Sequence, residues 1–209
     1  FLELCLKHNI KDFIFGSSSS VYGDNKKIPF SEEDKVDKSI SLYAATKKSN
    51  EEMAYTYHYL FGLNCTGLRF FTCYGPWGRP DMALFKFTSN ILKGKEIEIF
   101  NNGEMTRDFT YIDDVVPGVV SAIDKAYPFE IFNLGKGEPV KLMDFIEEIE
   151  KNLGVKAKKK MAPMQPGDIP ITFADISKAN KLLGYQPKVS VPEGVKEFIN
   201  WFKKYYKIQ

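Results

Sequence analysis

Apolar positions along the chain change their spacing several times, and each change predicts an element. Leu2, Leu4, Cys5 and Leu6 follow helical spacing, so Phe1 to Ile10 reads as the end of a helix. The segment Asp12-Phe13-Ile14-Phe15 is a short apolar run of the kind buried on both faces in a parallel sheet. The chain is therefore expected to open inside a β/α alternation. A helix is predicted from about Leu42 to Leu60, a strand from Asn64 to Phe71, and a further helix from about Met82 to Lys93, started by Pro80 and Asp81. Helix, strand and helix in that order predict a doubly wound α/β layer.

Beyond Lys95 the elements shorten. Ile97 to Phe100, Asp108 to Ile112 and Phe129 to Leu134 read as strands, and Asp113 to Ala126 and Leu142 to Asn152 as helices. These predict a smaller second lobe, with the division at residues 1–95 and 96–209. Ser190-Val191-Pro192-Glu193 is a capping box opening a last helix, which should place Val195, Phe198, Ile199, Phe202 and Tyr206 on one side as core. Internal repeats and low-complexity linkers are absent from the sequence.

Composition narrows the class without choosing a chemistry. A hydrophobic content of 44% supports a real core, and 29 basic against 27 acidic side chains leave a net charge of only +2, which gives no electrostatic reason to expect nucleic acid. The basic segment Lys156-Ala157-Lys158-Lys159-Lys160 lacks interleaved aromatics and reads as a solvated strand or loop. Cys5, Cys65 and Cys73 are odd in number and lack metal-type spacing, so a reduced, cytoplasmic setting without a structural metal is expected. His8 and His58 lie in predicted helices without acidic or cysteine companions and read as structural. Runs approaching the ~20 apolar residues of a membrane span, or a charged-then-apolar leader, are not found, so no membrane partner is expected.

The chemistry begins at Ser18 and at the run Tyr43-Ala44-Ala45-Thr46-Lys47. Four-residue spacing on a helix puts a phenol and an ammonium on one face. A phenol releases its proton near pH ~10, and a neighbouring ammonium favours the phenolate. Such a pair suits proton removal from an alcohol while hydride leaves the same carbon, with a serine hydroxyl holding the substrate oxygen. Gly16-Ser17-Ser18-Ser19-Ser20-Val21-Tyr22-Gly23 follows a strand, which would set its hydroxyls at the carboxyl end of a parallel sheet, where open α/β sheets bind ligands. By themselves the serines fit a flexible turn equally well, and Tyr43 with Lys47 fits an ordinary amphipathic helix.

The run from Leu68 to Ala83, Leu-Arg-Phe-Phe-Thr-Cys-Tyr-Gly-Pro-Trp-Gly-Arg-Pro-Asp-Met-Ala, with Arg107-Asp108-Phe109-Thr110-Tyr111-Ile112-Asp113-Asp114, decides between these readings. Together with Ser18, Tyr43 and Lys47 they resemble the extended short-chain dehydrogenase/reductases, and within them the NAD-dependent nucleotide-sugar epimerases and dehydratases. The likeness is strongest to UDP-glucuronate 4-epimerases and extends over essentially the whole chain. It implies NAD as cofactor, a UDP-sugar as substrate, and an incomplete doubly wound parallel sheet, the C-terminal part of a Rossmann fold, beside a smaller α/β substrate-binding lobe. Ser18, Tyr43 and Lys47 match the catalytic hydroxyl, the base and the cofactor-binding lysine, and Phe70 is implied to lie by the nicotinamide.

Neighbouring residues discriminate among the family's reactions. Dehydratases of this type carry an Asp-Glu pair, and decarboxylases a glutamate, in the two positions after the catalytic hydroxyl, where this chain has Ser19 and Ser20. A serine cannot serve as the acid for a leaving hydroxyl, so elimination is disfavoured. A 4-keto intermediate beside a 5-carboxylate loses carbon dioxide readily, so an epimerase for an acidic sugar must restrain that carboxylate. Arg79 offers a two-pronged donor for it, and Thr72, Ser19 and Ser20 offer hydroxyls. Neutral UDP-hexose or N-acetylhexosamine epimerisation is the alternative that Arg79 argues against, and a non-catalytic UDP-sugar-binding role is another.

The resemblance also places the nucleotide. Arg107 matches a pyrophosphate partner, Phe100 the aromatic that stacks on uracil, and Asp168 the acid that accepts from ribose hydroxyls. Ala83 and Leu84 could add backbone N–H groups at a helix start. Gln165 stands where many relatives have a phosphate-binding arginine. The family's Gly-x-x-Gly-x-x-Gly turn is not found, and Gly135-Lys136-Gly137 does not replace it, so roughly four strands of the dinucleotide fold are expected before Phe1. Relatives usually pair as homodimers through the helices corresponding to Phe1–Ile10 and Leu42–Leu60, which exposed aromatics at Tyr55, Tyr57 and Tyr59 would suit.

Overall fold

The computed structural model describes residues 1–208. In its first half the elements are α1 (Leu2–Lys7), β1 (Asp12–Ser18), α2 (Leu42–Phe61), β2 (Asn64–Phe70), β3 (Thr72–Tyr74), α3 (Ala83–Leu92) and β4 (Glu96–Ile99). Then follow β5 (Thr106–Tyr111), α4 (Ile112–Lys125), β6 (Phe129–Leu134), β7 (Pro139–Lys141) and α5 (Leu142–Leu153). The chain closes with β8 (Lys158–Met161), β9 (Ile171–Thr172), α6 (Ser177–Leu183) and α7 (Val191–Tyr206). The fold is mixed α/β with parallel sheets, the class expected.

The principal sheet runs β1-β2-β6, all parallel, with Ser18 opposite Phe70 and Phe70 opposite Leu134 at its carboxyl end. A second sheet is built on β5, which pairs parallel with β3 and β9 and antiparallel with β7. A third pairs β4 with β8. Strand β6 comes from the second half of the chain to complete the principal sheet. Conversely, α3 of the first half packs in the core shared by β4, β5, α5 and α7, where Phe109 and Phe145 stack at 3.9 Å. A separate core joins Leu68, Phe132 and Leu134 of the principal sheet to Val115 and Ala122 of α4 and Leu183 of α6.

Several boundaries depart from the sequence expectation for visible reasons. Strand β1 continues past Phe15 to Ser18 because its ladder with β2 continues. The strand expected to end at Phe71 is interrupted there. Phe71 donates its N–H to Leu134 and turns its ring toward Val21, Tyr22 and Phe30 before β3 begins. Phe100 leaves β4 and starts a short 3₁₀ turn. In α7 the capping box forms and Val195, Phe198, Ile199 and Phe202 are buried. Burial of each large apolar side chain stabilises by roughly 1.5–3 kcal/mol. Tyr206, expected in the same core, is 47% exposed and packs at its edge, against the rings of Phe85 and Phe202. Tyr55 and Tyr59 are exposed, but Tyr57 is half-buried, its hydroxyl bonded to Glu3 of α1.

The lysine-rich segment becomes strand β8, and two of its neighbourhood's cations are not simply solvated. Lys156 and Lys159 reach the buried carboxylate of Glu150 at 2.8 and 2.7 Å, and Ala157 donates its N–H to it at 3.0 Å. Burial works against charge on Glu150, but these donors outweigh it and bring the carboxyl from its ordinary 4.5 down to about 2. A depressed carboxyl stabilises the fold above its unfolded value and loses that contribution as pH falls toward the folded value. Urea midpoints measured at pH 7 and pH 2.5 should therefore fall further in the native chain than in Glu150→Gln. The variant should be less stable at pH 7 yet show a flatter acid limb between about pH 4.5 and pH 2.

Candidate active site

Local structure explains how the reactive side chains come to the carboxyl end of the principal sheet. Ser41 caps α2, its hydroxyl accepting from Ala44 N at 3.1 Å, so Tyr43 falls in the first turn and Lys47 one turn below it. Lys47 Nζ donates to Gly16 O at 2.9 Å and lies 5.7 Å from the centre of the Tyr43 ring. Tyr43 is 56% exposed, accessible to a ligand. Ser18 ends β1 and caps a 3₁₀ turn, Ser19–Tyr22, by accepting from Ser20 N at 3.2 Å. The hydroxyl of Ser20 is buried and has no protein partner among the described residues. Phe70 sits beside Ser18 in the ladder.

Behind these groups lies a buried polar network that sequence reasoning missed. Arg69 of β2 grips Glu51 of α2 with two bonds of 2.9 Å, and Ser17 Oγ donates to the same carboxylate at 2.6 Å. The Arg69 guanidinium also lies 4.9 Å from the centre of the Tyr22 ring, whose hydroxyl donates to Asn133 Oδ1 at 2.6 Å. Asn133 in turn donates to the carbonyls of Phe30 and Asp175. Burial opposes charge on Glu51, but Arg69 and Ser17 hold its carboxyl below the ordinary value. Two clues were present: Glu51 repeats the four-residue spacing of Tyr43 and Lys47, and Arg69 places a charge between Leu68 and Phe70 in a strand that is buried along most of its length.

One residue beyond Phe71 the chain reaches Thr72, which lines two adjoining hollows. The first, of about 230 Å³, includes Arg79, Ala83 and Leu84, and the second, of about 350 Å³, includes Ala83, Phe100, Arg107 and Asp168. Helix α3 starts between them with no side-chain cap at Met82, leaving its first N–H groups without intrahelical partners. The side chain of Leu84 is buried in the core, so its backbone is what remains for a ligand. Arg79 is exposed and forks onto Asp81 at 3.1 and 2.5 Å. Asp81 raises its pKa. Arg107 is mostly buried and bonds Asp168 at 2.7 Å. Burial pulls its pKa down and Asp168 opposes the fall.

A model of the NAD dependent epimerase/dehydratase family matches residues 1–135. The chain belongs to that family. Among its relatives, an uncharacterised protein of Methanocaldococcus jannaschii is 62% identical over 96% of this chain and 61% of its own length. UDP-glucuronate 4-epimerase 4 of Arabidopsis thaliana is 50% identical over 98% of this chain and 51% of its own. A crystal structure of UDP-glucuronic acid 4-epimerase from Bacillus cereus, in complex with UDP-glucuronic acid and NAD, superposes with a TM-score of 0.92 at 39% identity. It covers 98% of this chain and 65% of that one. The chain thus spans between about half and two thirds of the length of these relatives.

Within this epimerase/dehydratase chain, Gly135-Lys136-Gly137 has an occupation of its own. The fully buried Asp108 accepts from Lys136 N at 2.6 Å, Gly137 N at 2.9 Å, Ala174 N at 3.0 Å and Thr110 Oγ1 at 2.8 Å. A Cβ on Gly135 would come within 2.7 Å of Asp108 Oδ2, so glycine is needed for this approach. Burial pushes the Asp108 carboxyl up, and the four donors work against that rise. An asparagine would point an NH₂ at some of these donors. Asp108→Asn should cost about 2–4 kcal/mol of unfolding free energy, read by chemical denaturation, without changing the secondary-structure content.

Proposed function

We propose that this chain forms the catalytic and sugar-nucleotide-binding part of a UDP-sugar 4-epimerase, with UDP-glucuronate as substrate and NAD as cofactor. The observation that carries the reading is that Lys47 lies 5.7 Å from the centre of the Tyr43 ring and is bonded to Gly16 O, two residues before Ser18 at the sheet's carboxyl end, with hollows lined by Thr72, Arg79 and Arg107 following the next strand. Residues 1–95 then hold the catalytic part of the dinucleotide fold and residues 96–209 mainly the UDP-sugar lobe. The likeness to named UDP-glucuronate 4-epimerases supports the choice of substrate.

The residues present fit the nicotinamide end of NAD. Lys47 spends one of its three donors on Gly16 O, which leaves others for ribose hydroxyls beside Tyr43, and Phe70 offers an apolar surface next to Ser18. Bound NAD supplies a reversible hydride acceptor for the sugar's C4. Tyr43 takes the proton of the 4-hydroxyl and later returns it, and Ser18 orients that oxygen. Arg107 and the N–H groups of Ala83 and Leu84 take the pyrophosphate, Phe100 stacks on the uracil, and Asp168 accepts from the ribose. For a ligand to claim Arg107 in this way it must replace part of the Arg107–Asp168 bond. Arg79, with Thr72 and Ser19, restrains the sugar carboxylate against loss of carbon dioxide, and Ser20, whose hydroxyl is buried, joins them only when its turn shifts to uncover it.

Supporting features extend to assembly and setting. Exposed Leu4, Tyr55 and Tyr59 on α1 and α2 suit a homodimer through that face. Among the described residues no helix is long and apolar enough to cross a membrane, which is compatible with a cytoplasmic enzyme.

The reading is tested by NMR assay of UDP-glucuronate with the full-length protein, in which UDP-galacturonate should accumulate. Absence of that product, or a preference for neutral UDP-hexoses, defeats it. Calorimetric titration with UDP and NAD separates an enzyme, which binds both, from a sugar-nucleotide-binding protein, which binds only the first. Tyr43→Phe should lower turnover at least ~100-fold while UDP affinity is preserved. In Arg79→Ala the fraction of UDP-pentose by-product should rise, and an unchanged product ratio would remove the carboxylate clamp from the mechanism.

A further inference from the structure

Between Tyr43 and Glu51 helix α2 carries little that would fix its rotation by packing, because its ring contacts, of Tyr55 and His58 with Phe129, lie in its C-terminal turns. Its buried residues are Ala44, Glu51 and Ala54, and an alanine methyl is too short to lock a helix against a sheet by interdigitation. Tyr43, Lys47 and Glu51 follow one another at four-residue intervals, so they stand one above another along a single face. Lys47 Nζ holds Gly16 O at 2.9 Å, and Glu51 Oε1 holds Ser17 Oγ at 2.6 Å. Two successive residues of β1 are thus tied to two successive turns of α2, and the next residue of the strand is Ser18. Arg69 fastens the same carboxylate to β2 through two parallel bonds, a geometry that resists both sliding and rotation.

We infer that Glu51 and Arg69 are positioning residues: the buried pair sets the rotation and height of α2 on the sheet, and through it the place of Tyr43 and Lys47 relative to Ser18. The inference rests on the assignment of Tyr43 as the base. Neither Glu51 nor Arg69 needs to touch substrate for this role. A displacement of about 1 Å at a reacting group can cost ~100-fold in rate, which is the scale on which such a clamp matters.

Glu51→Leu combined with Arg69→Met replaces the pair with apolar groups of similar volume, an exchange that generally preserves folding. The full chain is labelled with 3-fluorotyrosine and the Tyr43 fluorine signal assigned through Tyr43→Phe. In the double variant that signal should shift or split while that of the distant Tyr206 stays in place. Ser17→Ala keeps the ion pair and should shift the Tyr43 signal in the same direction by less, which decides the matter should the double variant not fold. An unmoved Tyr43 signal in either folded variant overturns the positioning role. In turnover of UDP-glucuronate, kcat should fall ~100-fold in the double variant with KM within about two-fold. Should Tyr43→Phe retain turnover, the base assignment fails instead, and the fluorine signals still report on the pair.

Discussion

The buried pair of Glu51 and Arg69 is the constraint on which the site depends. Taking two charges out of water is expensive, and their attraction repays this only when geometry is good and the remaining polar atoms are satisfied. Here the guanidinium meets both carboxylate oxygens, Ser17 supplies a further donor, and Tyr22 places its ring against the cation, while the remaining guanidinium nitrogen, Nη1, has no hydrogen-bond partner among the described residues. Glu51, Arg69 and Ser17 belong to α2, β2 and β1, so satisfying one carboxylate joins three elements. An all-apolar junction would hold the same elements together with less directional demand on where each must stand.

From that junction the chain leads directly into the candidate binding surface. Strand β2 delivers Phe70 beside Ser18, Phe71 anchors in the core around Tyr22, and Thr72 emerges into both hollows. The cations at those hollows are each held by a nearby aspartate, Arg79 by Asp81 and Arg107 by Asp168. The two pairs differ in kind. The first is exposed and screened, so its contribution is small, whereas the second is mostly withdrawn from water, so exchanging its partner carries more electrostatic consequence.

Much of the fold could be read because its elements announce themselves locally. The capping box at Ser190 and the helical spacing from Val195 to Phe202 contain their own instructions, as does the apolar run Phe13-Ile14-Phe15 of β1. The serine run did not, since its extended conformation up to Ser18 comes from pairing with β2 rather than from side-chain pattern. The candidate site divides along the same line. Ser18, Tyr43, Lys47, Arg79 and Arg107 stand out as chemically distinctive residues in a recognisable order. The partners of Glu51 and Asp108 do not, because Asp108 meets Lys136 and Ala174 only after three separate segments converge. Likewise, the period of α7 marks Tyr206 as apolar-facing, but the helix ends there and solvent takes its place.

The exchange of elements between the two halves bears on how the molecule comes apart. Strand β6 completes the principal sheet from the far side of the chain, and α3 crosses the other way into the second core. Each core therefore holds an element contributed by the other half of the chain, so the two halves of the sequence cannot part without opening both cores. Melting should proceed as one cooperative event, and a nick in an exposed connecting loop would leave two pieces still interlocked by their borrowed strand and helix.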